Sequence, residues 1–544
     1  MSTLRDADDS PTAKTGHDAL DHLWVGAVGT VLALMPGAVL SFDRHSFPKE
    51  LVLHVFACTA AVLALLGAQR LRIGAVDALL GGFLVLGAVS AAAAGNGWFA
   101  LRGLSLTLSG LAVFWTARAL AGEGVRGELV KVVAVAAVVA AATGLLEAYG
   151  VLPGLSTTGR APGGTIGNRN RLAHLLVLAL PVLVLCAARA RSRLRFGLGA
   201  AGLFLVSAVL VLTRARAAWV AVAAVGLLAA VLLAAGGWSM LRERLPRRRA
   251  AGLVVAALAG AAVALILPNR LTWRSDSPYL DTLRTVADYD SGSGRGRLIQ
   301  YRNTLHLVAA SPLLGVGPGN WTVQYPRFAS VGDPSFSTES RFPTTRLPQG
   351  DWIGLAAERG LPALAILVLA CALVARRSWR RVRAGAPGAA GDLALLLSMG
   401  ALGTLGLFDP VLLTPAACFV FFLALGALAP PETRAVELRL GNAGRAAGVA
   451  AVLLLSTAPV LYSGRQLWAG YLYGTRADTG RLARATALNP GDYRAHLLLA
   501  EAWIQAGRCD LARGSIDASL RLIPTAPAPR RLWDRCATPR RPGV

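Results

Sequence analysis

Charged residues are scarce in this sequence, since Asp, Glu, Lys and Arg make up 16% of its 544 residues, against roughly 25% in ordinary soluble domains. The shortage accompanies a hydrophobic fraction of 54% and a mean hydropathy of +0.52, and together these values exclude a soluble enzyme. Cysteine is equally scarce, with six residues far apart and no Cys-x-x-Cys pair or Cys/His cluster. Neither a zinc site nor a disulfide framework is therefore expected, and whether Cys509 and Cys536 pair is left open.

Acidic residues are outnumbered by basic ones, 30 against 55, which gives a formal net charge of +25. In a soluble chain such a charge would suggest nucleic acid as a partner. Here the basic residues lie mostly in short connections between apolar runs, where they indicate membrane topology. No nucleic-acid partner is expected.

Long apolar runs are the feature that this sequence has in abundance. Each run is near the ~20 residues that a helix needs to cross a bilayer, which predicts an all-α polytopic membrane protein with about 12–13 transmembrane helices. The predicted spans cover residues 22–42, 50–68, 75–94, 101–121, 128–149, 171–188, 196–213, 216–236, 250–267, 352–375, 391–408, 411–430 and 446–463.

The connections between these spans divide into two alternating sets, and most of the Lys and Arg residues fall in one set. Because basic connections stay in the cytoplasm, that set marks the cytoplasmic side. The chain then has a cytoplasmic N-terminal segment (1–21) and a transmembrane domain (22–463) that includes a large extracytoplasmic loop (268–351). The last part (464–544) is predicted to be an extracytoplasmic tail.

The tail has small and apolar residues at the offsets of a tetratricopeptide helix pair, and Pro490 precedes Pro524 by the 34 residues of that repeat. This pattern predicts one full helical hairpin and part of another. Because fewer than about three such repeats are rarely stable alone, the tail is expected to pack on the membrane domain or on a partner protein.

Arginines on the predicted outer side oppose the orientation bias and need another explanation. Arg214 and Arg216 join two spans with almost no loop, and Arg297 stands just before a helix-like stretch of the large loop. A guanidinium group makes forked contacts with phosphate oxygens and stays charged, so these residues suggest a phosphorylated lipid headgroup at the outer leaflet. The alternative is that they reach ordinary lipid phosphates or pair with nearby acids.

A second basic segment begins at Arg160 and runs through a Gly-rich turn with Asn168 and Asn170 into the next span. Such a turn exposes backbone N–H groups at the N-terminus of a helix, where an anion is favoured. These three residues are therefore candidate ligands of the same headgroup.

Short motifs surround the predicted outer loop in a fixed order. They are Phe42-Asp43-Arg44 with Pro48-Lys49-Glu50, Gly167-Asn168-Arg169-Asn170 with Ala173, Thr213-Arg214-Ala215-Arg216-Ala217-Ala218-Trp219, Arg297 with Arg302-Asn303, Ser311-Pro312 with Gly315 to Asn320, Asp351-Trp352, and Glu358-Arg359-Gly360-Leu361-Pro362. In this order, over about residues 22–430, the chain resembles the O-antigen ligase and O-antigen polymerase superfamily of bacterial membrane glycosyltransferases.

The resemblance implies transfer of a glycan from an undecaprenyl-diphosphate carrier to a hydroxyl acceptor on the outer side of the bacterial inner membrane. The acceptor would be a lipid core, another glycan or a protein, as in polysaccharide or lipopolysaccharide biosynthesis, and no metal or other cofactor is implied. Arg216 and Arg297 would bind the diphosphate and stabilise its growing charge, with Arg214 and Arg160 as secondary candidates. The tail would recruit a protein acceptor or partner.

One position departs from the family pattern. Ligases of this family usually have a histidine before the span that follows the large loop, and Gln349, which is not titratable and cannot act as a general base, occupies that position here. Asp351 and His306 are the candidate bases that remain. Asp351 is equally compatible with pairing to Arg346 or Arg341, and His306 with a surface position on a helix.

Two other classes of function stay open at this point. The chain fits an inactive ligase-like scaffold, or a carrier-lipid-binding component of a polysaccharide export system, that has lost its base. A secondary transporter is less well supported, because charged residues inside the spans are scarce and Glu147 is the clearest example.

Overall fold

The computed structural model is 77% helical with almost no strand, which confirms an all-α polytopic membrane protein. The structure describes residues 11–35, 41–122, 125–155, 162–237, 246–273, 275–285, 288–290, 292–337, 339, 345–429, 432, 435–475 and 478–537. Arg160 and Arg341 lie outside these residues.

Most of the described helices and strands follow one another with short connections, and the longer intervals are residues 149–168, 233–246 and the segment between residues 267 and 350. In chain order they are α1 (Pro11–Leu32), α2 (Ser41–Gly67), β1 (Arg70–Ile73), α3 (Ala75–Ala92), α4 (Gly97–Gly122), α5 (Arg126–Ala148), α6 (Arg169–Ala188), α7 (Arg193–Thr213), α8 (Arg216–Leu232), α9 (Arg247–Ile266), α10 (Pro278–Arg284), α11 (Gly292–Ala310), α12 (Trp321–Gln324), α13 (Asp351–Arg383), α14 (Ala389–Leu405), α15 (Pro415–Leu428), β2 (Val436–Arg439), α16 (Asn442–Thr475), α17 (Thr479–Leu488), α18 (Tyr493–Gln505), α19 (Cys509–Leu522) and α20 (Pro527–Ala537).

Ten of the described helices are long and apolar enough to cross a membrane. Each predicted span overlaps a helix, and α14 and α15 are apolar but shorter, with 17 and 14 residues. The first helix differs most from its predicted bounds of 22–42, because α1 begins at Pro11 and ends at Leu32. Ala19 and Leu20 are already buried, so packing extends this helix beyond its apolar run.

The short helix α15 lies inside the bundle, because all of its residues are buried. Its sequence is apolar on every face, which is the pattern of a helix surrounded by other helices. Glycines allow α4 and α15 to approach closely. A Cβ added at Gly426 would lie 2.4 Å from the backbone oxygen of Phe114, so this crossing requires glycine.

The connections predicted to be cytoplasmic meet at one end of the bundle. There β1 pairs with β2 in an antiparallel ladder, with Arg70 opposite Arg439. Asp392 at the start of α14 pairs with Arg126 of α5 and Arg381 of α13. The connections whose basic residues predict a cytoplasmic position therefore lie at the same end of the structure.

Glu432 joins three of these segments. Its carboxylate accepts hydrogen bonds from the backbone N–H groups of Ala75 and Val76, both at 3.0 Å, at the positive end of α3. It also pairs with Arg377 at the end of α13, at 2.5 Å. Burial alone would raise the pKa of Glu432, but these contacts outweigh it and lower the pKa to about 2.

The tail and the large loop meet at the opposite end of the bundle, where Asn96 joins both. The Asn96 backbone N–H donates to Oδ1 of Asn320 at 2.8 Å, and its Nδ2 donates to the backbone oxygen of Leu522 at 2.9 Å. Nearby, an added Cβ at Gly491 would lie 2.3 Å from the Trp98 ring. The tail therefore packs tightly on the transmembrane helices.

A disulfide joins Cys509 to Cys536 in the tail, which resolves the pairing that the sequence left open. It ties the start of α19 to α20, which also makes apolar contacts such as those of Leu532. The consecutive helices of the tail pack on one another, and their assignment as tetratricopeptide-like repeats stays a prediction.

We predict opposite results for reporters fused at the two ends of the bundle. Alkaline phosphatase fused after residue 537 should be active and green fluorescent protein fused there should be dark. Fusions after residue 440, next to β2, should behave in the opposite way, because basic connections are retained in the cytoplasm. Measured fluorescence and phosphatase activity of the four fusions in cells test this, and a fluorescent tail fusion would contradict the assignment.

Candidate functional site

The junction between α7 and α8 presents two arginines at the end of the bundle that carries the large loop. Arg214 ends α7 in the left-handed conformation (φ 52°), and α8 begins two residues later at Arg216. A non-glycine residue in this conformation costs on the order of 1 kcal/mol, and residues strained in this way cluster at active sites and ligand-binding sites. Because the junction is so short, both arginines lie where α7 ends and α8 begins.

The segment after α9 holds both guanidinium groups in place. Arg214 donates from Nε to Oγ1 of Thr282 at 2.8 Å, and its guanidinium lies 4.8 Å from the Trp273 ring. Arg216 donates to the backbone oxygen of Thr285 and to Oγ of Ser293. Burial lowers the pKa of Arg214, but an arginine keeps its charge at any working pH.

Arg297 belongs to a charged cluster with two residues from distant parts of the chain. Its Nη2 lies 3.0 Å from Oδ1 of Asp409, and Nε2 of His174 lies 3.2 Å from Oδ2 of the same carboxylate. His174 and Asp409 are buried. Burial alone would raise the pKa of Asp409, but the contacts with His174 and Arg297 outweigh it and lower the pKa.

The N-terminus of α6 contributes one more arginine, Arg169. Asn168 caps this helix, since its Oδ1 accepts hydrogen bonds from the backbone N–H groups of Asn170 at 2.9 Å and Arg171 at 3.3 Å. Arg169 lies within electrostatic range of Arg214, Arg216 and Arg297.

We call Arg169, Arg214, Arg216 and Arg297 the arginine cluster. Four guanidinium groups beside the positive end of a helix form a strongly anion-attracting site. Such groups suit a ligand that carries several phosphate oxygens and accepts forked contacts.

Asp351 anchors the connection that carries Asp409. Its buried carboxylate accepts hydrogen bonds from the backbone N–H groups of Val411 and Leu412 at 2.9–3.1 Å. Its own N–H donates to the backbone oxygen of Gly406 at 2.8 Å. Asp351 therefore fixes both ends of the turn on which Asp409 is presented to Arg297.

Tyr301 lies between these groups, in electrostatic range of Arg297, Asp409 and Asp351. Burial raises the pKa of Tyr301 to about 12, so the phenol keeps its proton and can donate it in a hydrogen bond. An added Cβ at Gly350 would lie 2.5 Å from the Tyr301 hydroxyl, which explains why glycine precedes Asp351.

The structure does not bring His306 to this cluster. His306 follows Arg297 by nine residues on α11, which is half a turn short of a whole number of helical turns and places it on the opposite face. It is exposed there. Gln349, in contrast, lies near Asp351, and its backbone N–H donates to Oε1 of Gln300 at 2.5 Å.

Sequence reasoning missed Arg169, His174 and Asp409 as members of the site. Arg169 lies in the Gly-rich turn that the sequence analysis identified, so the sequence alone could have identified it as a candidate ligand. Asp409 carries a weaker signal: it is an acid in a short connection between two apolar runs, where charges are costly and often functional. His174 could not be distinguished from an ordinary buried histidine.

The O-antigen ligase family model matches residues 201–368, from α7 into α13. This segment contains Arg214, Arg216, Arg297 and Asp351, and the match supports an O-antigen ligase-like or polymerase-like membrane glycosyltransferase. No curated protein matches the chain.

We predict that Asp351→Asn destabilises the fold, because the amide NH₂ group would face backbone N–H donors that now bond a carboxylate. The expected loss is about 2 kcal/mol in the free energy of unfolding, measured as a lower melting temperature of the purified protein. Asp290→Asn, at an exposed position, is the matched control. Equal melting temperatures for the two variants would contradict the anchoring role.

Proposed function

We propose that the protein transfers a glycan from an undecaprenyl-diphosphate carrier to a hydroxyl acceptor at the outer face of the bacterial inner membrane. The observation that carries this proposal is the arginine cluster at the N-terminus of α6. A diphosphate has the charge and the oxygens to engage several guanidinium groups at once. The product would enter polysaccharide or lipopolysaccharide biosynthesis.

In the proposed reaction the acceptor oxygen forms a bond to the anomeric carbon of the glycan. The bond from that carbon to the phosphate oxygen breaks, and its electron pair goes to the departing carrier diphosphate. The acceptor proton goes to a base. Arg216 and Arg297 stabilise the charge that grows on the leaving diphosphate, and removing one such donor commonly costs ~10²–10³ in rate.

We propose Asp409 as the general base. It is the carboxylate in contact with Arg297, and its pKa is held down partly by that contact. When the diphosphate engages the guanidinium of Arg297, the carboxylate loses part of this stabilisation and its basicity rises. His174 keeps Asp409 oriented through the other carboxylate oxygen. Asp351 and His306, predicted from the sequence, remain the competing candidates.

Two observations support the outer location of this site. The site lies at the end of the bundle opposite the basic connections and the β1–β2 ladder. The tail at the same end carries the Cys509–Cys536 disulfide, a bond that persists in oxidising compartments outside the cytoplasm. The N-terminus and the basic connections are then cytoplasmic.

The second candidate function is an inactive ligase-like scaffold that binds the carrier lipid. The observation that favours it is Gln349, which cannot perform the role of the family histidine. This candidate keeps the arginine cluster but performs no transfer, so carrier binding without glycan transfer by the wild-type chain would select it.

We predict that Arg297→Ala and Arg216→Ala each lower glycan transfer by about 10²–10³. The assay is transfer of carrier-linked glycan in a strain that lacks the chromosomal copy, at matched protein level. Arg327→Ala, which removes an exposed arginine of the large loop, should leave transfer unchanged. Full activity of Arg297→Ala would contradict the proposed diphosphate site.

We also predict that the same transfer assay distinguishes the three candidate bases. Asp409→Asn should abolish transfer and His306→Ala should leave it intact, because His306 is exposed on the far face of α11. Asp351→Asn should lose activity only in proportion to its loss of folded protein. Wild-type transfer by Asp409→Asn would eliminate Asp409 as the base.

A further inference from the structure

The β1–β2 ladder has one apolar face and one charged face. In an antiparallel pair, residues directly opposite each other lie on the same face, and successive residues of a strand alternate between the two faces. Leu71 lies opposite Leu438, and Ile73 lies opposite Val436, so these four side chains form the apolar face. The other side, which we call the arginine face, carries Arg70, Arg72, Glu437 and Arg439. The ladder is therefore amphipathic.

The apolar face is open. Ile73, Val436 and Leu438 are 43%, 64% and 46% exposed, and Leu71 is partly exposed. An isolated two-stranded ladder is at best marginally stable in water, and a stable one needs its hydrophobic face covered. The apolar face therefore favours a cover that comes from outside the chain.

The ladder is attached directly to the ends of spanning helices. Two residues separate α2 from β1, one separates β1 from α3, and two separate β2 from α16. All three helices are long and apolar enough to cross a membrane. At about 3.3 Å per residue, these connections reach no more than ~10 Å. The headgroup layer of a bilayer extends about 5–8 Å beyond the hydrocarbon on each side.

The ladder cannot project far from these helix ends. Both ends of β1 are tethered to spanning helices, and the first turn of α16 is tied to the end of α2, since Arg445 donates to the backbone oxygen of Leu66 at 3.3 Å. The ladder therefore lies along the membrane surface, at the depth of the lipid headgroups.

The arginine face has an excess of positive charge, because three arginines share one glutamate. Nε of Arg72 lies 2.7 Å from Oε1 of Glu437, and Nη1 of Arg70 lies 3.4 Å from Oε2. Within the described part of the chain, Arg439 contacts no acidic side chain, and it stands directly opposite Arg70. Like charges directly opposite each other destabilise a ladder. An anion beside these two arginines would offset their repulsion, and phosphate oxygens suit guanidinium groups.

We propose that the β1–β2 ladder is a binding surface for anionic phospholipid, in the leaflet at the end of the bundle that is predicted to be cytoplasmic. The apolar face rests on the acyl chains, and the long side chains of Arg70 and Arg439 reach lipid phosphates beside the ladder. A second copy of the chain would bring the same three arginines, so charge complementarity favours lipid as the cover. The inference needs only that the helices cross a membrane, and it is independent of the proposed transfer reaction.

The first test measures the depth of the two faces in vesicles of phosphatidylethanolamine and phosphatidylglycerol. A nitroxide label is attached to Val436→Cys, Leu438→Cys or Arg439→Cys in a full-length chain whose four free cysteines are changed to alanine. Labels at 436 and 438 should collide with oxygen, which concentrates among the acyl chains, and the label at 439 should collide with a water-soluble nickel complex. The ratio of oxygen to nickel collisions should be about threefold or more higher at 436 and 438 than at 439.

The second test measures lipid binding at the ladder itself. The protein labelled at Leu438→Cys is titrated in detergent with phosphatidylglycerol or with phosphatidylcholine of the same acyl chains, and loss of nitroxide mobility reports binding. Phosphatidylglycerol should bind more tightly, and Arg70→Gln/Arg439→Gln should weaken its binding by about tenfold. The matched control is Arg193→Gln/Arg195→Gln, at exposed arginines of another basic connection, which should leave the titration midpoint unchanged.

Four results would overturn the proposal. They are equal collision ratios at the three labelled positions, equal affinity for the two lipids, a midpoint unchanged in Arg70→Gln/Arg439→Gln, and dipolar broadening between labels at 438, which would place a second copy on the apolar face. The melting temperature is measured for every variant. If the double arginine variant does not fold, the depth measurement decides alone, because the chains labelled at 436 and 438 keep both arginines.

Discussion

Mutual repulsion of like charges is the constraint on which the arginine cluster depends. Arg169 lies within electrostatic range of Arg214, Arg216 and Arg297, so the like charges around the positive end of α6 repel one another, which is unfavourable in a partly buried site. The surrounding residues offset this cost. Asp409 neutralises Arg297, while Thr282, Ser293 and the Trp273 ring hold the other side chains, so the charges stay gathered and face one ligand.

The rest of the bundle end that carries the large loop is arranged around that group. Asp351 fixes the turn that carries Asp409, and Asn96 ties the large loop and the tail to the start of α4 through two buried hydrogen bonds. The Asp351 contacts join segments 60 and 61 residues apart in sequence, and the Asn96 contacts join segments 224 and 426 residues apart. Their burial makes each one costly to lose, since a buried donor or acceptor without its partner is strongly unfavourable. The large loop and the tail are therefore structural parts of this end of the bundle.

Gln349 occupies the position where the family pattern has a titratable histidine, so a proton acceptor has to come from elsewhere in this chain. In the family pattern one titratable side chain before α13 would suffice, and here that position is occupied by an amide. The structure places a different carboxylate, Asp409, against the arginine that the resemblance assigns to the diphosphate. The partly buried phenol of Tyr301 keeps its proton beside them, so the site combines a carboxylate that can accept a proton with a hydroxyl group that can donate a hydrogen bond.

The sequence by itself determined the fold class, the positions of the helices and the division of the connections between two ends. These follow from hydropathy and charge, which are local properties of the chain and act directly on transfer into a bilayer. It also singled out Arg214, Arg216 and Arg297, because cations on the predicted outer side have no topological reason to be there. Only the tertiary structure decided that Asp409 and His174 meet Arg297, that His306 faces away, and that β1 pairs with β2. Those contacts depend on how helices far apart in sequence pack, and the packing is set by complementary shape along whole helices, which no single segment encodes.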